Sequence, residues 1–102
     1  MWNQGNGSSL FGRRHINFKN RVFLAGQGHD TTNAISEGVS ALGSYSNITS
    51  KTLLAVGNGS SPTNRSNAFE ITTDGAIILA DSNGIRWKIT VNTTGNLIVT
   101  QA

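Results

Sequence analysis

Apolar and polar residues alternate near the C-terminal end of the chain, and this alternation predicts β-strands. Across residues 84–91 every second side chain is apolar, a period of two that is typical of a strand with one covered face. Residues 92–96 supply a turn in which Gly95 can adopt positive φ, and 97–101 return as another β-rich segment. The end of the chain is therefore predicted to be a β-hairpin.

The hairpin belongs to a longer run of predicted strands that begins at Ala68. Four segments rich in Val, Ile, Thr and aromatic residues, AFEIT, AIILA, IRWKITV and LIVTQ, are separated by TDG, DSNG and NTTGN. Asp, Asn and Gly favour tight turns because they tolerate left-handed φ or bond their own backbone. Residues 68–102 are therefore predicted to form a β-meander.

The residues before the meander follow a looser pattern. Residues 1–14 are rich in Gly and Ser and are predicted to be a flexible lead-in. Residues 15–24 alternate, break at Lys19 and Asn20, and resume, which indicates one bulged strand or two short ones. We expect residues 15–102 to form a single β-domain, with an irregular or β-roll part over 15–67.

The middle of the chain contains an approximate repeat. Short apolar clusters that include Ala precede Gly26, Gly43 and Gly57, at spacings of 17 and 14 residues, and a small polar loop follows each glycine. A repeat this short cannot bury a core alone, so neighbouring units must cover one another. The sequence predicts an all-β fold in which short polar β-roll or solenoid-like repeats precede the C-terminal meander.

Composition narrows the classes of protein to which the chain can belong. Gly, Ser, Thr and Asn supply 46 of the 102 residues, whereas charged residues are only 13%, too few for a disordered polyelectrolyte. There is no cysteine, which excludes a disulfide framework, a thiolate metal site and thiol catalysis. No apolar stretch is long enough to span a bilayer, so we expect no membrane insertion.

Candidate catalytic and metal-binding residues are few. His15 and His29 are the only imidazoles, and we expect both at the surface; His29 precedes Asp30, but no third protein ligand for a metal is evident. The eleven serines include none in a G-x-S-x-G elbow. We therefore expect no catalytic residues, no metal and no cofactor, and a protein that is not an enzyme.

Positive charge is concentrated in the segment RRHINFKNR, which contains Arg13, Arg14, Lys19 and Arg21. With a pI near 10.0 it leaves open a small nucleic-acid-binding β-domain as an alternative. The net charge is only +3, and these charges alternate with apolar residues, so a solvated strand face is the preferred interpretation and no nucleic-acid partner is expected.

Two segments carry a resemblance to a known family. Residues 83–102, NGIRWKITVNTTGNLIVTQA, resemble the terminal hairpin of many bacteriophage tail-fibre and tail-associated proteins. Residues 41–75, with the junction NRSNAFEITTDG, resemble the polar β-roll repeats of trimeric phage fibres and of trimeric autotransporter heads. The resemblance covers about the last 60 residues.

The resemblance implies a homotrimer at the virion tail, extracellular, or alternatively on a bacterial cell surface. It implies a non-enzymatic structural and receptor-binding module whose partners are other virion tail proteins and a bacterial surface glycan or protein receptor, with a polysaccharide preferred. A purely architectural trimerisation or capping domain, or a bacterial trimeric adhesin head, remains the alternative.

Two sets of site residues are predicted. Polar loops within 27–67 are expected to contact a receptor, because loops on a rigid scaffold vary without harming its packing; the candidates are Tyr45, Asn47, Asn58 and Arg65, with Tyr45 exposed. The meander shows one apolar face that the first 67 residues cannot cover. The residues expected to be buried between or beneath the chains of a trimer are Ile85, Trp87, Ile89, Leu97 and Val99.

Overall fold

The computed structural model describes residues 1–102, which form ten β-strands and no helix. In chain order the strands are β1 Trp2–Asn3, β2 Ser9–Arg13, β3 Ile16–Asn17, β4 Phe23–Gln27, β5 Ser40–Ser44, β6 Thr52–Asn58, β7 Asn67–Thr72, β8 Ile77–Ala80, β9 Arg86–Val91 and β10 Leu97–Gln101. The predicted all-β fold is confirmed.

Eight of the strands form one sheet in the order β2-β4-β5-β6-β7-β8-β9-β10. From β2 to β6 the neighbours are parallel, so the chain returns to the same side once per turn. From β6 to β10 they are antiparallel and connected in sequence order. The predicted architecture is confirmed: a solenoid-like stack of about four turns leads into a meander whose strands are the four predicted from Ala68 onward.

A column of glycines brings the turns together. Gly12, Gly26, Gly43 and Gly57 lie at equivalent places in successive turns, and a Cβ atom on Gly26 would be 1.8 Å from the carbonyl oxygen of Gly43. Such a distance leaves no room for a side chain. The repeat predicted at Gly26, Gly43 and Gly57 is therefore a structural one, and it extends one turn further back, to Gly12.

The first turn differs from the sequence-based expectation. Residues 1–14 contain β1, which pairs in parallel with β3, and β2, which pairs in parallel with β4. The prediction of a flexible lead-in missed this turn because its inward positions carry polar residues, such as Ser8, instead of an alternating apolar pattern. The break predicted within 15–24 separates two short strands, β3 and β4.

Polar residues fill much of the interior of the roll. The apolar core is small and consists of Val22, Leu24, Ala34, Val39, Ala41 and Ile48. Beside it, Asn17 donates from Nδ2 to Asn3 Oδ1 at 2.9 Å, and Thr31 donates from Oγ1 to Asn17 Oδ1 at 2.7 Å. These bonds join equivalent residues of adjacent turns, so buried polar groups are paired along the stack.

The two histidines lie in the interior, and the prediction that they are at the surface was wrong. Both are fully buried, and their rings are stacked with centroids 5.1 Å apart. His29 Nε2 lies 2.9 Å from the carbonyl oxygen of Ala25, so this nitrogen carries the proton. His29 Nδ1 then accepts from the hydroxyl of Ser46 at 2.7 Å. Neutral His29 satisfies all its partners, and burial lowers its pKa below the ordinary 6.5.

Replacing Gly26 with alanine is expected to destabilise the fold far more than replacing Gly38. Both glycines have positive φ, 111° and 89°, so both substitutions introduce backbone strain of about 1–2 kcal/mol. A Cβ atom on Gly38 meets nothing within 4 Å, whereas one on Gly26 overlaps the backbone of the next turn. Gly26→Ala should lose about 1–3 kcal/mol more in urea unfolding. Equal losses would show that the close approach of the turns is unimportant.

Acid is expected to destabilise the fold through His29. Its pKa is lowered on folding, so between the folded value and 6.5 the unfolded chain binds more protons. The contribution is complete above about pH 6.5 and is lost as the pH falls below it. The urea concentration at the midpoint of unfolding should therefore fall as the pH is lowered from about 7.5 to 5, and His29→Asn should reduce that fall. The pKa values of Asp74 and Asp81 are lowered from 3.8, so the stability that these two carboxylates contribute is lost only at more acidic pH. A midpoint that stays constant over this range would contradict the assignment.

Candidate functional site

A polar groove lies between the loop after β6 and the turn that joins β8 to β9. Its cavity has a volume of about 430 Å³, and Ala80 is its only hydrophobic lining residue. The other lining residues are Asn47, Asn58, Arg65, Ser66, Asn67, Asp81, Ser82, Gly84 and Arg86. Three of the four predicted receptor-binding residues, Asn47, Asn58 and Arg65, are thus brought together around one cavity.

Tyr45, the fourth of them, lies behind the groove and is only 6% exposed. The expectation that it is exposed was wrong. Its ring packs against Gly28, where a Cβ atom would be 2.2 Å from Tyr45 Cε1, and the guanidinium of Arg65 lies 5.7 Å from the ring centroid. Flanking serines suggested an exposed loop, but the loop that carries Arg65 covers the ring.

Arg65 is held by backbone carbonyl groups from other segments. Its Nη1 donates to the oxygen of Gly28 at 2.7 Å and to that of Ser46 at 3.3 Å, and its Nε donates to the oxygen of Pro62 at 3.2 Å. Arg65 thereby fixes the loop after β6 against two earlier turns. The same bonds hold the guanidinium in one orientation at the groove.

Asparagines connect the wall of the groove to the last turn of the roll. Asn67 accepts from the backbone N–H of Asn47 and donates to its carbonyl oxygen, both at 2.8 Å. Asn58 Oδ1 accepts from the hydroxyl of Ser66 at 2.6 Å. The buried Asn67 is therefore structural, while Asn47 and Asn58 keep exposed amide groups.

Arg86 is one of the groove residues that the sequence-based prediction missed. Its Nη2 donates to Glu70 Oε2 at 3.2 Å, and Glu70, only 4% exposed, also accepts from Asn67 Nδ2 at 2.7 Å. The available signal was the alternation of 85–91, which puts Arg86 and Lys88 on the face opposite Trp87. That pattern does not reveal that Glu70 is their neighbour in space.

Asp81 is the acid at the rim of the groove, and it is ionised and already engaged. The indole N–H of Trp87, at 3.0 Å, is the main cause that lowers the pKa of Asp81, followed by the backbone N–H groups of Ile85 and Asn83. The Asp81 carboxylate therefore already accepts hydrogen bonds from Trp87 and from the backbone of its own turn.

A second cavity of about 310 Å³ adjoins the first and shares Asn47 and Arg86 with it. Lys51, Lys88 and Asp74 also line it. The hydroxyl of Thr72 is the main cause that lowers the pKa of Asp74, and the charge of Lys88, 3.7 Å away, adds to it. The cavities share residues and together form a polar surface that carries both basic and acidic groups.

The arrangement is suited to binding through hydrogen bonds. No group of three or more His, Cys, Asp or Glu side chains is arranged to hold a metal ion. One serine and one histidine do form a hydrogen-bonded pair, Ser46 with His29, but both are fully buried and no substrate can reach them. The groove itself offers amides, hydroxyls and two guanidinium groups, which can recognise hydroxylated and anionic ligands.

The residues predicted for the trimer core do not line the groove and lie on the opposite face of the sheet, although the indole N–H of Trp87 reaches Asp81 at the rim. In β9 and β10, Ile89 is opposite Val99, and Val91 is opposite Leu97. Val99 is 55% exposed in the single chain. The register extends this apolar face into the roll, because the same face carries Phe11, Phe23, Leu42, Leu54, Val56, Phe69, Ile71, Ile77, Leu79 and Trp87. Burial of Ile85, Trp87, Ile89, Leu97 and Val99 between chains stays a prediction.

Comparisons with known proteins add no family. No protein-family model, no curated protein and no solved structure matches the chain. The structure forms no helix of the length and hydrophobicity required to cross a membrane.

Replacing Arg86 with alanine should destabilise the fold more than replacing Lys88. Arg86→Ala leaves the buried carboxylate of Glu70 without its counter-charge, at an expected cost of about 1–3 kcal/mol because the pair is partly screened by solvent. Lys88 pairs with the exposed Asp74, where solvent screens the charges, so Lys88→Ala should cost clearly less than Arg86→Ala. Urea unfolding of both variants tests this; a larger loss for Lys88→Ala would refute it.

Proposed function

We propose that this chain is a non-enzymatic structural and receptor-binding module of a trimeric fibre of the bacteriophage tail-fibre kind. It acts outside the cell, at the virion tail, beside other tail proteins, and attaches to a bacterial surface component, preferably a polysaccharide. The hairpin and repeat resemblance of residues 41–102 supports the family. The observation that carries the proposal is the uncovered apolar face of the eight-stranded sheet.

This face is too extensive to be left in water by a soluble single chain. Two rows of apolar side chains cross the sheet, one through Leu54, Ile71 and Ile77 and the other through Val56, Phe69 and Leu79. The roll covers the other side of the parallel strands and of part of β7 and β8, where Glu70 and Ile78 are buried, whereas β9 and β10 contain no buried residue. A β-sheet with an apolar face requires a partner layer, and contiguous exposed apolar surface marks an interface.

Copies of the same chain are the proposed partner. A threefold arrangement turns each apolar face towards the other two and closes on itself, whereas an open arrangement would grow into filaments. It also brings the exposed edge strand β10 near its copies, which limits uncontrolled strand pairing. The polar groove, on the opposite face, stays accessible in such a trimer.

The groove favours receptor binding over a purely architectural role. An architectural trimerisation or capping domain, or a bacterial adhesin head, would account for the apolar face alone. The alternative of a nucleic-acid-binding domain gains little support, because Arg21 is paired with Glu37 on the roll. A pair of fixed arginines among amides and hydroxyls is the type of surface that recognises a polar ligand.

The wild-type chain is expected to sediment as a trimer of about 32 kDa, three times its mass of 10.8 kDa. Two neighbours on β10 provide a matched pair of variants. Val99, on the apolar face, and Ile98, on the other face, are 55% and 40% exposed in the single chain. Val99→Asn should dissociate the trimer at micromolar concentration, whereas Ile98→Asn should not.

The outcome is read by sedimentation equilibrium, with circular dichroism to check that both variants fold. A folded wild type of one chain's mass would overturn the trimer. Equal dissociation by the two variants would show that the apolar face is not the interface.

A further inference from the structure

Two guanidinium groups at the polar groove are fixed in place but retain unused donors. Arg65 uses Nη1 and Nε for three backbone carbonyl groups, which leaves Nη2 free of partners within the chain. Arg86 uses Nη2 for Glu70, which leaves Nη1 and Nε free. A side chain that is already immobilised loses little further entropy when a ligand binds. The groove therefore presents preorganised N–H donors.

The acidic groups near these arginines are already engaged by other donors. Glu70 is buried and receives Asn67 and Arg86. Asp81 receives the indole N–H of Trp87 and two backbone N–H groups. The groups at the groove that still lack a hydrogen-bond partner are therefore mainly the N–H donors of the two positively charged arginines. Such donors select an anion.

The arginines and the negative charge at the rim determine which kind of anion the groove prefers. A guanidinium matches a planar carboxylate in a two-point hydrogen bond. The ionised Asp81 at the rim disfavours a dianion more strongly than a monoanion. A carboxylate is therefore preferred to a phosphate monoester.

The remaining lining indicates what the carboxylate is attached to. Asn47, Asn58, Ser66 and Ser82 offer donors and acceptors suited to hydroxyl groups. A cavity of about 430 Å³ is within the range for a small ligand and accommodates a sugar residue. Apolar lining is nearly absent, which disfavours a lipid or an apolar peptide.

We propose that the polar groove binds a carboxylate-bearing sugar, such as a uronic acid residue of an acidic polysaccharide, with Arg86 as the main anchor and Arg65 as its second donor. This inference rests on the proposed function, because it names the ligand class of the receptor-binding module. It assigns recognition to the groove and gives Tyr45 a supporting role beneath Arg65.

Binding of three polymers to the full chain tests the proposal by isothermal titration calorimetry. The probes are polyglucuronate, its carboxyl-reduced neutral form, and dextran phosphate, which carries phosphate monoesters. Polyglucuronate should bind at least about tenfold more tightly than the reduced polymer, in which a CH₂OH group replaces each carboxylate. Dextran phosphate bound as tightly as polyglucuronate would overturn the preference for a carboxylate, and equal binding of the neutral polymer would overturn the anion site.

Two isosteric variants test the location without disturbing the buried ion pair. Asn58→Asp adds a negative charge to the groove while its Oδ1 still accepts from Ser66. Asn20→Asp adds the same charge outside the groove, at an exposed residue whose Oδ1 accepts from the backbone N–H of Asn6. Asn58→Asp should weaken polyglucuronate binding about tenfold, and Asn20→Asp less than about twofold. Equal weakening would identify general charge attraction instead of a site.

Arg86→Lys provides a third variant, because it keeps the charge opposite Glu70 but removes the planar fork. It should weaken binding of polyglucuronate while the circular dichroism spectrum and the oligomeric mass in solution stay unchanged. Full affinity in this variant would overturn the role of Arg86 as the anchor.

Failure of the groove assignment can be distinguished from failure of the proposed function. If the wild type is a monomer but binds polyglucuronate, and Asn58→Asp weakens that binding, the groove assignment holds without the trimer. If the wild type is a trimer that binds none of the probes, the groove assignment fails.

Discussion

The stacking of one turn directly on the next depends on glycine at one position in each turn. At Gly12, Gly26 and Gly43 the added Cβ atom would lie 1.8–2.3 Å from a carbonyl oxygen of the following turn, a distance at which only a hydrogen atom fits. The close approach fixes the register of the parallel strands β2, β4, β5 and β6. With the register fixed, equivalent side chains lie above one another, which is the condition for both the buried polar pairs and the continuous apolar face.

This register explains how a chain with so small an apolar core can fold. Inside the roll, stacked turns let Asn17 bond to Asn3 and Thr31, and His29 bond to Ser46, so buried polar groups are paired instead of excluded. Outside, the same alternation sends apolar residues to a single face that no other part of the chain covers. Stability of the meander is accordingly expected to depend on association, whereas the roll has its own interior.

Much of the fold follows from local sequence patterns. The strands of the meander were predictable because each alternates and each is followed by Asp-, Asn- or Gly-containing turns. The repeat was predicted from Gly26 onward, but a pattern that required Ala before the glycine missed Leu10-Phe11-Gly12, where Phe11 occupies the place of Ala25. The 14-residue interval between His15 and His29 is a further sequence signal of the stacking, because it equals the spacing of Gly12 and Gly26.

The site was less predictable, since its parts meet only through tertiary contacts. Loop composition identified Asn47, Asn58 and Arg65, but it suggested an exposed Tyr45, which Arg65 in fact covers. Arg86 enters the groove because antiparallel pairing carries β9 to within reach of Glu70, a contact across sixteen positions of sequence that no local pattern encodes.

Small-angle X-ray scattering of the wild-type chain tests most directly the claim that its apolar face is covered by copies of itself. One chain has a radius of gyration of 13.9 Å, calculated from its Cα atoms. The account predicts forward scattering of three chains and a radius of gyration clearly above this value. Forward scattering of one chain, with a radius of gyration near 13.9 Å, would contradict it.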